Sequence, residues 1–212
     1  REALALAFDF EWVNRTLNRG AYARIESLFG NSPLGYAGAA EGREREILAP
    51  HADALPEGAL EGAYDWPETD GSGRNRRNLR EASRLLSEAG FEVQGGRRVG
   101  PGGEPLRFEI LLGGPAWEAA SQVWVRALET LGVEARVRMV DGAQYEARRS
   151  EYDFDVIVNT WAVSLSPGNE QRYYWGREGV EVPGTRNYPG VDSAAAEAAI
   201  DALLSAEAPE EF

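Results

Sequence analysis

The stretch from residue 153 to 176, DFDVIVNTWAVSLSPGNEQRYYWG, decides how the chain is read. It opens on Phe154-Asp155-Val156-Ile157-Val158, an apolar run rich in β-branched residues and short enough for a strand inside a sheet. Trp161 follows closely. A polar connection leads to Ser166-Pro167-Gly168-Asn169-Glu170, where Ser166 suits an N-cap and Pro167 the first position of a helix. The expected product is a strand, an aromatic at its carboxyl end, and a helix whose free N–H groups point the same way. Ligands of open α/β sheets collect outside the carboxyl ends of strands, and helix N-termini favour carboxylates and other electron-rich groups. Trp161, Ser164, Ser166 and Asn169 are therefore candidate ligand-binding residues. The competing use is a core tryptophan followed by an ordinary cap.

Upstream of this stretch the pattern alternates. Residues 106–112 read as a strand, residues 116–131 as a helix after Gly113-Gly114-Pro115, and residues 133–140 as a strand in which Val133, Ala135, Val137 and Met139 alternate. Asp141 with Gln144 resembles a capping box for a helix through Arg149. The strand at 154–158 then closes a βαβαβ unit, for which a parallel core of three strands is the default, and the predicted fold class is α/β. Its carboxyl edge comprises the loops at 113–116, 140–143 and 159–168.

Further back, residues 76–89 carry an apolar stripe of Leu79, Ala82, Leu85, Leu86 and Ala89, with Gly90 placed to end the helix. Glycines on both sides of Arg97-Arg98-Val99 read as hairpin turns. A phosphate loop is excluded, because neither GxGxxG nor GxxxxGK(S/T) is present and a strand follows where a helix is required. Residues 1–17 have helical spacing, with Leu4, Ala7, Phe8, Trp12 and Val13 on one face; Asp9 can cap a second segment and Gly20 ends it. Pro33, Pro50, Pro56 and Pro67 punctuate residues 22–73, where only residues 41–48 look helical. Tyr22, Ile25, Leu28, Phe29, Leu55, Leu60, Tyr64 and Trp66 nevertheless give that region apolar groups to pack. Residues 1–73 are thus expected as a helical and irregular coat and residues 74–212 as the α/β core, ending in a helix over 192–205 after a loop at 185–190. The chain opens inside a helical pattern, so it is expected to be a piece of a longer protein.

Composition narrows the chemistry. The net charge is −13, from 22 basic and 35 acidic residues, which argues against nucleic acid or an anionic membrane as partner. Every basic residue is Arg. Without Lys there is no Schiff-base or lysine general-base chemistry, and without Cys no disulfide, thiol nucleophile or thiolate metal site. His51 is the only histidine and sits in Ala49-Pro50-His51-Ala52-Asp53, which reads as a loop with no serine elbow beside it. Asp153-Phe154-Asp155 begins a strand, whereas a DxD metal site needs its oxygens at a strand's carboxyl end. No run is long enough for a membrane span. No catalytic residue, metal site or cofactor is expected. Trp161, Tyr173, Tyr174 and Trp175 crowd around Asn169, Glu170, Gln171 and Arg172, a combination that suits a peptide or sugar ligand and adds Arg172 to the candidates. Helix packing is the competing use for Tyr174 and Trp175.

Residues 1–20, REALALAFDFEWVNRTLNRG, resemble the start of the second lobe in family 5 extracellular solute-binding proteins, the dipeptide- and oligopeptide-binding components of ABC importers. FDVIVNTWAVSLSPGNEQRYYWG resembles the YejA-type oligopeptide- and microcin C-binding subgroup, and NLREASRLLSEAGFEV, LRFEILL and LETLGVEARVRMVDGAQYEARR fall in the order that family has them. The resemblance implies one lobe, residues 1–212, of a periplasmic-binding-protein-like fold of class II type, with a central mixed, mainly parallel sheet flanked by helices. It implies a periplasmic, non-catalytic receptor that closes on an oligopeptide or peptide-like ligand. The implied partners are the first lobe of the same full-length chain and an ABC permease in the inner membrane. In better known relatives an acid three positions beyond the strand-end tryptophan holds the ligand's α-amine; here that place holds Ser164. A neutral hydroxyl lacks the charge for that bond, so an N-acetylated peptide is expected to bind about as well as a free one unless another acid, such as Glu170, takes the role.

Two other classes compete with a receptor lobe. One is an α/β hydrolase or transferase domain using carboxylates at the same sheet edge. The other is a sensor domain that keeps the fold and binds a protein partner.

Overall fold

Asp9 divides the opening apolar run into two helices. In the computed structural model, which describes residues 1–30, 32–36, 38–62 and 66–208, α1 is Glu2–Leu6 and α2 is Phe10–Thr16. Asp9 Oδ1 accepts from Trp12 N at 3.0 Å, satisfying one of the N–H groups that a helix start leaves free. Then come α3 (Gly42–Leu48) and α4 (Arg76–Glu88), and Gly90 leaves α4 with φ 86°. Next are β1 (Glu92–Gln94), β2 (Arg97–Val99), β3 (Arg107–Leu112), α5 (Glu118–Thr130), β4 (Glu134–Met139), α6 (Gly142–Ser150) and β5 (Val156–Ile157). The last helices are α7 (Glu170–Trp175) and α8 (Ala194–Leu204). Among the described residues no helix is long and apolar enough to cross a membrane.

The chain divides into two compact units, one of Arg1–Ala23, Trp66–Arg149 and Asp153–Asn159, the other of Arg24–Asp65, Ser150–Tyr152 and Thr160–Phe212. The first unit holds the sheet. Its order is β4-β3-β5, and both pairings are parallel. β3 is central, which explains its composition: Ile110, Leu111 and Leu112 are each at most 2% exposed, as a strand covered on both faces requires. β4 pairs with it from Arg107↔Glu134 to Leu112↔Met139 and alternates, with Ala135 buried and Arg136 and Arg138 exposed. Around the sheet pack Ala3 and Leu6 of α1 with Ala7 just after it, Ala82 and Leu86 of α4, and Val125 and Leu128 of α5. Trp124 joins them, donating Nε1–H to Leu4 O at 3.0 Å and packing its ring 5.7 Å from Phe108.

The antiparallel pair β1-β2 forms a separate hairpin closed by Gly95 (φ 59°) and Gly96 (φ 82°), the two positive φ angles that a tight primed turn demands. Arg98 fixes this hairpin to the unit. It is 2% exposed, and its guanidinium meets only neutral oxygens. Nε donates to Leu131 O at 2.9 Å, Nη1 to Ser87 Oγ at 3.0 Å and Phe91 O at 3.1 Å, and Nη2 to Ser83 O at 3.2 Å and to Ser83 Oγ. Burial pushes its pKa down.

Two elements differ from the sequence reading. β5 pairs over two residues, Ile110↔Val156 and Leu111↔Ile157, instead of spanning 154–158. The cause is Asp155, whose Oδ2 takes the Glu109 N–H at 2.8 Å, so a side chain stands where the ladder would have continued. Nor does a helix begin at Pro167. In the second unit α7 starts at Glu170, and Asn169 occupies its cap position without a side-chain bond. Ser164 Oγ accepts from Ser166 N at 3.0 Å, and Glu170 Oε1 accepts from Gly168 N at 2.9 Å, so local side-chain bonds hold this segment in turns.

Elsewhere in the second unit α3 packs on α8, and Ser193 Oγ caps α8 by accepting from Ala196 N at 3.4 Å. Leu28, Phe29, Leu55 and Leu60 are half-buried and Ile25 is exposed. Tyr22, in the first unit, is exposed and pairs with Trp117 at 6.2 Å; Tyr64 lies outside the described residues.

Replacing Arg98 by Ala strips hydrogen-bond partners from the carbonyls of Ser83, Phe91 and Leu131 together. Arg98→Ala is expected to lower the unfolding free energy by about 3 to 5 kcal/mol in urea titrations, a cost typical of breaking a buried polar network. A loss below about 1 kcal/mol would show that the β1-β2 ladder holds the hairpin unaided.

Candidate ligand-binding site

At the end of β5, Tyr145 of α6 donates its hydroxyl to Val158 O at 2.8 Å. Its ring lies so close to the β3 terminus that a Cβ on Gly113 would stand 2.8 Å from Tyr145 Cγ, which accounts for glycine there. The acids flanking this strand are occupied: Asp153 Oδ2 accepts from Arg148 Nε at 2.7 Å, and Asp155 takes the Glu109 amide. Arg148 also donates to Glu109 Oε1 at 2.8 Å, and both carboxylates raise its pKa, Glu109 more.

The second unit begins again at Thr160, and Trp161 is the centre of an aromatic group. Its ring lies 4.5 Å from Tyr174 and 4.9 Å from Trp175, both tilted by 50°, and stacks at 5.8 Å on Tyr188. Tyr188 in turn meets Tyr152 edge-on at 5.9 Å. Tilted and edge contacts suit the ring quadrupoles, and Trp161 remains half-exposed, so the group is an open wall.

Polar bonds hold that wall in place. Trp175 Nε1 donates to Gln171 Oε1 at 3.1 Å, and Gln171 Nε2 donates to Glu170 Oε1 at 3.3 Å. The Gly168 N–H, then the residue's own backbone N–H and the Gln171 amide, hold the Glu170 carboxyl below the usual carboxylate range against the opposing effect of burial. Asn187, 2% exposed, donates to Gly176 O at 2.9 Å and Val191 O at 2.8 Å and accepts from Val191 N at 2.8 Å. Tyr152 and Thr185 join their hydroxyls, and Arg186 N donates to Tyr173 O at 3.0 Å. The loop carrying Tyr188 is thereby tied to α7.

Of the five residues singled out from the sequence, Trp161 joins the aromatic wall, while Ser164, Ser166 and Asn169 lie exposed on the loop that follows. Arg172 points to α8. It donates to Asp201 Oδ1 at 2.6 Å and lies 3.9 Å from Glu197 Oε2. Tyr188, Tyr152, Gln171 and Asn187 complete the site without having been among those five. Gln171 lies in the aromatic-rich segment already noted, whereas for Asn187 and Tyr188 the sequence signal is the turn chemistry of Asn187-Tyr188-Pro189-Gly190, which marks a loop and says nothing of its contacts.

Among the described residues no group of three or more His, Cys, Asp or Glu is placed to hold a metal ion. Aromatic faces with amides and hydroxyls beside them are chemistry for holding a ligand by contact and hydrogen bonds. The chain belongs to the bacterial extracellular solute-binding proteins, family 5, whose middle-region model matches residues 1–181. Over 100% of its length it is 42% identical to a putative binding protein of Brucella melitensis, and 39% identical to the peptidoglycan-binding protein YepA of Agrobacterium fabrum. It is 38% identical over 97% of its length to the probable peptide-binding protein YejA of Agrobacterium fabrum, in keeping with the subgroup that residues 154–176 resemble. The chain spans 35% of the first two relatives and 34% of the third. In fold it is similar to the oligopeptide-binding protein AppA of Bacillus subtilis, solved with a nonapeptide, at a TM-score of 0.68 and 18% identity, covering 99% of this chain and 36% of that one.

Asn187→Ala leaves two buried carbonyls and one N–H unmatched, and each such group costs about 1 to 3 kcal/mol. The variant is expected to lower the unfolding midpoint of the second unit and to shift tryptophan emission to the red as Trp161 and Tyr188 part. An unchanged spectrum and midpoint would show that the aromatic contacts alone fix the wall.

Proposed function

We propose that this chain is the ligand-binding lobe of a two-lobed periplasmic receptor, one that captures oligopeptides and delivers them to an ABC permease in the inner membrane. The family match over residues 1–181 carries this reading. The peptide- and peptidoglycan-binding names of the relatives and the nonapeptide in the AppA structure support the ligand class. The receptor binds its cargo and does not transform it. Trp161 supplies a flat contact face, Ser164, Ser166 and Asn169 supply hydroxyl and amide groups for backbone amides of the peptide, and Arg172 adds guanidinium N–H groups beyond those held by α8.

A cleft receptor buries its ligand between two lobes, while a single lobe gives part of the contact and still bears the full entropic cost of association. Calorimetry on the isolated chain is therefore expected to show peptide affinity at least about tenfold weaker than that of the complete protein, a difference of about 1.4 kcal/mol. Equal affinities would remove the two-lobe reading, and cleavage of the peptide during titration, followed by chromatography, would favour an enzyme.

A further inference from the structure

A hollow of about 540 Å³ opens between α3 and α8 of the second unit. It lies on the side of α8 turned away from α7. Glu197 and Asp201 of α8 face Arg172 of α7, whereas Ala199, Ala202 and Leu203 stand on the opposite side of the helix and line the hollow. Leu34, Ile47 and Leu48 complete an apolar floor, and all three remain half-buried although α3 packs on α8. The alanines account for the space. Ala199 and Ala202 each contribute a single methyl group, so the two helices meet without filling the volume between them. That volume lies within the about 300 to 1,000 Å³ typical of small-molecule sites, which are likewise apolar with a few polar groups at the edge.

The polar lining is Ser27, Tyr36, Glu41, Arg43 and Glu44, all exposed except Ser27. Two negative charges thus stand against one positive. Glu41 precedes α3 and its side chain makes no cap bond, and Glu44, three residues on, shares its face of the helix. Neither carboxylate is engaged in a hydrogen bond or an ion pair with a described residue. Like charges one turn apart repel, and a cation between them removes that repulsion. Tyr36 adds a ring that is 55% exposed and is tethered by its hydroxyl, which donates to Ala39 O at 2.7 Å. Carboxylates beside an open phenol face receive an ammonium group by charge-assisted hydrogen bonds and cation–π attraction.

We propose that this hollow is a second binding site, for a small amphipathic cation whose apolar chain lies on the floor between α3 and α8 and whose ammonium group meets Glu41, Glu44 and Tyr36. It is separate from the aromatic wall and does not depend on the peptide-receptor reading.

The test titrates the complete protein by calorimetry with three probes of one chain length: octylammonium, octanoate and octan-1-ol. Octylammonium is expected to bind tighter than octanol and at least roughly tenfold tighter than octanoate, the size of one charge-assisted bond. Glu41→Gln combined with Glu44→Gln keeps the side-chain shapes and removes the charges. It should bring octylammonium down to the affinity of octanol and leave octanol unchanged. Ala202→Leu fills the floor and should weaken octylammonium and octanol alike; Leu34→Ala, in the loop, reads the same floor should Ala202→Leu fail to fold. Saturating Ala-Ala-Ala should displace no octylammonium, which sets this site apart from the one proposed for peptides. An octylammonium affinity that either the charge variant or the floor variants leave unchanged overturns the proposal, and so does displacement by the tripeptide. Absence of octylammonium binding to the complete protein overturns it as well, since the hollow is then closed by other residues of the full chain.

Discussion

A guanidinium removed from water with no carboxylate to meet it must find neutral oxygens for its N–H groups, and Arg98 finds them by drawing three segments together. Ser83 and Ser87 come from α4, Phe91 from the turn that ends it, and Leu131 from the junction of α5 and β4. The backbone at the same residue continues the arrangement: Arg98 N donates to Gly132 O and Leu106 N to Arg98 O, both at 2.7 Å. The hairpin therefore cannot shift without unpairing several buried groups at once. β3 begins at Arg107, just after Leu106, so the starting point of the central strand is set by the same contact. The parallel register follows from there, since Glu134 N donates to Leu106 O at 3.0 Å.

What was legible in the sequence is what local chemistry determines. Asp9 capping α2, Gly90 ending α4, the Gly95-Gly96 turn and the alternation along β4 each depend on residues within a few positions of one another. The two errors share a cause. Asp155 and Ser166 both carry short polar side chains able to bond backbone, and each sits among other groups that compete for the same N–H or offer another. At Asp155 the competitor lies 46 residues away, at Glu109, which no local window contains. At Ser166 the competitor is two residues away, and Ser164 could have been weighed as the acceptor from the outset.

The aromatic wall of the candidate site was legible in its content and opaque in its frame. Trp161 and the crowded residues 173–175 stand out in one segment, so the wall was half visible. Its other half comes from a loop: Tyr152 meets Thr185 across 33 residues of chain, and Asn187 reaches back 11 residues to Gly176. These contacts come from buried polar groups that must be matched, and matching is a property of the folded unit. Arg172 illustrates the converse. Its type suggested a ligand group, yet with Asp201 and Glu197 on the facing helix its first use is to join α7 to α8.

The charges of the second unit make sense when sorted by what each is matched against. Arg172 and Arg177 between them engage Asp192, Glu197 and Asp201, two positive charges against three negative, so these ion pairs join α7 and the turn after it to α8 while the stretch stays acidic. Glu170 is held differently, by an uncharged N–H and an amide, which stabilise its ionised form without cancelling its charge. A carboxylate so fixed is already oriented by its neighbours. The same bonds tie it to Gln171 and through Gln171 to Trp175, so orientation of the charge and orientation of the aromatic wall are one constraint. The polarity of loop 161–169 thus comes from a side chain held by the turn itself and not from a helix N-terminus.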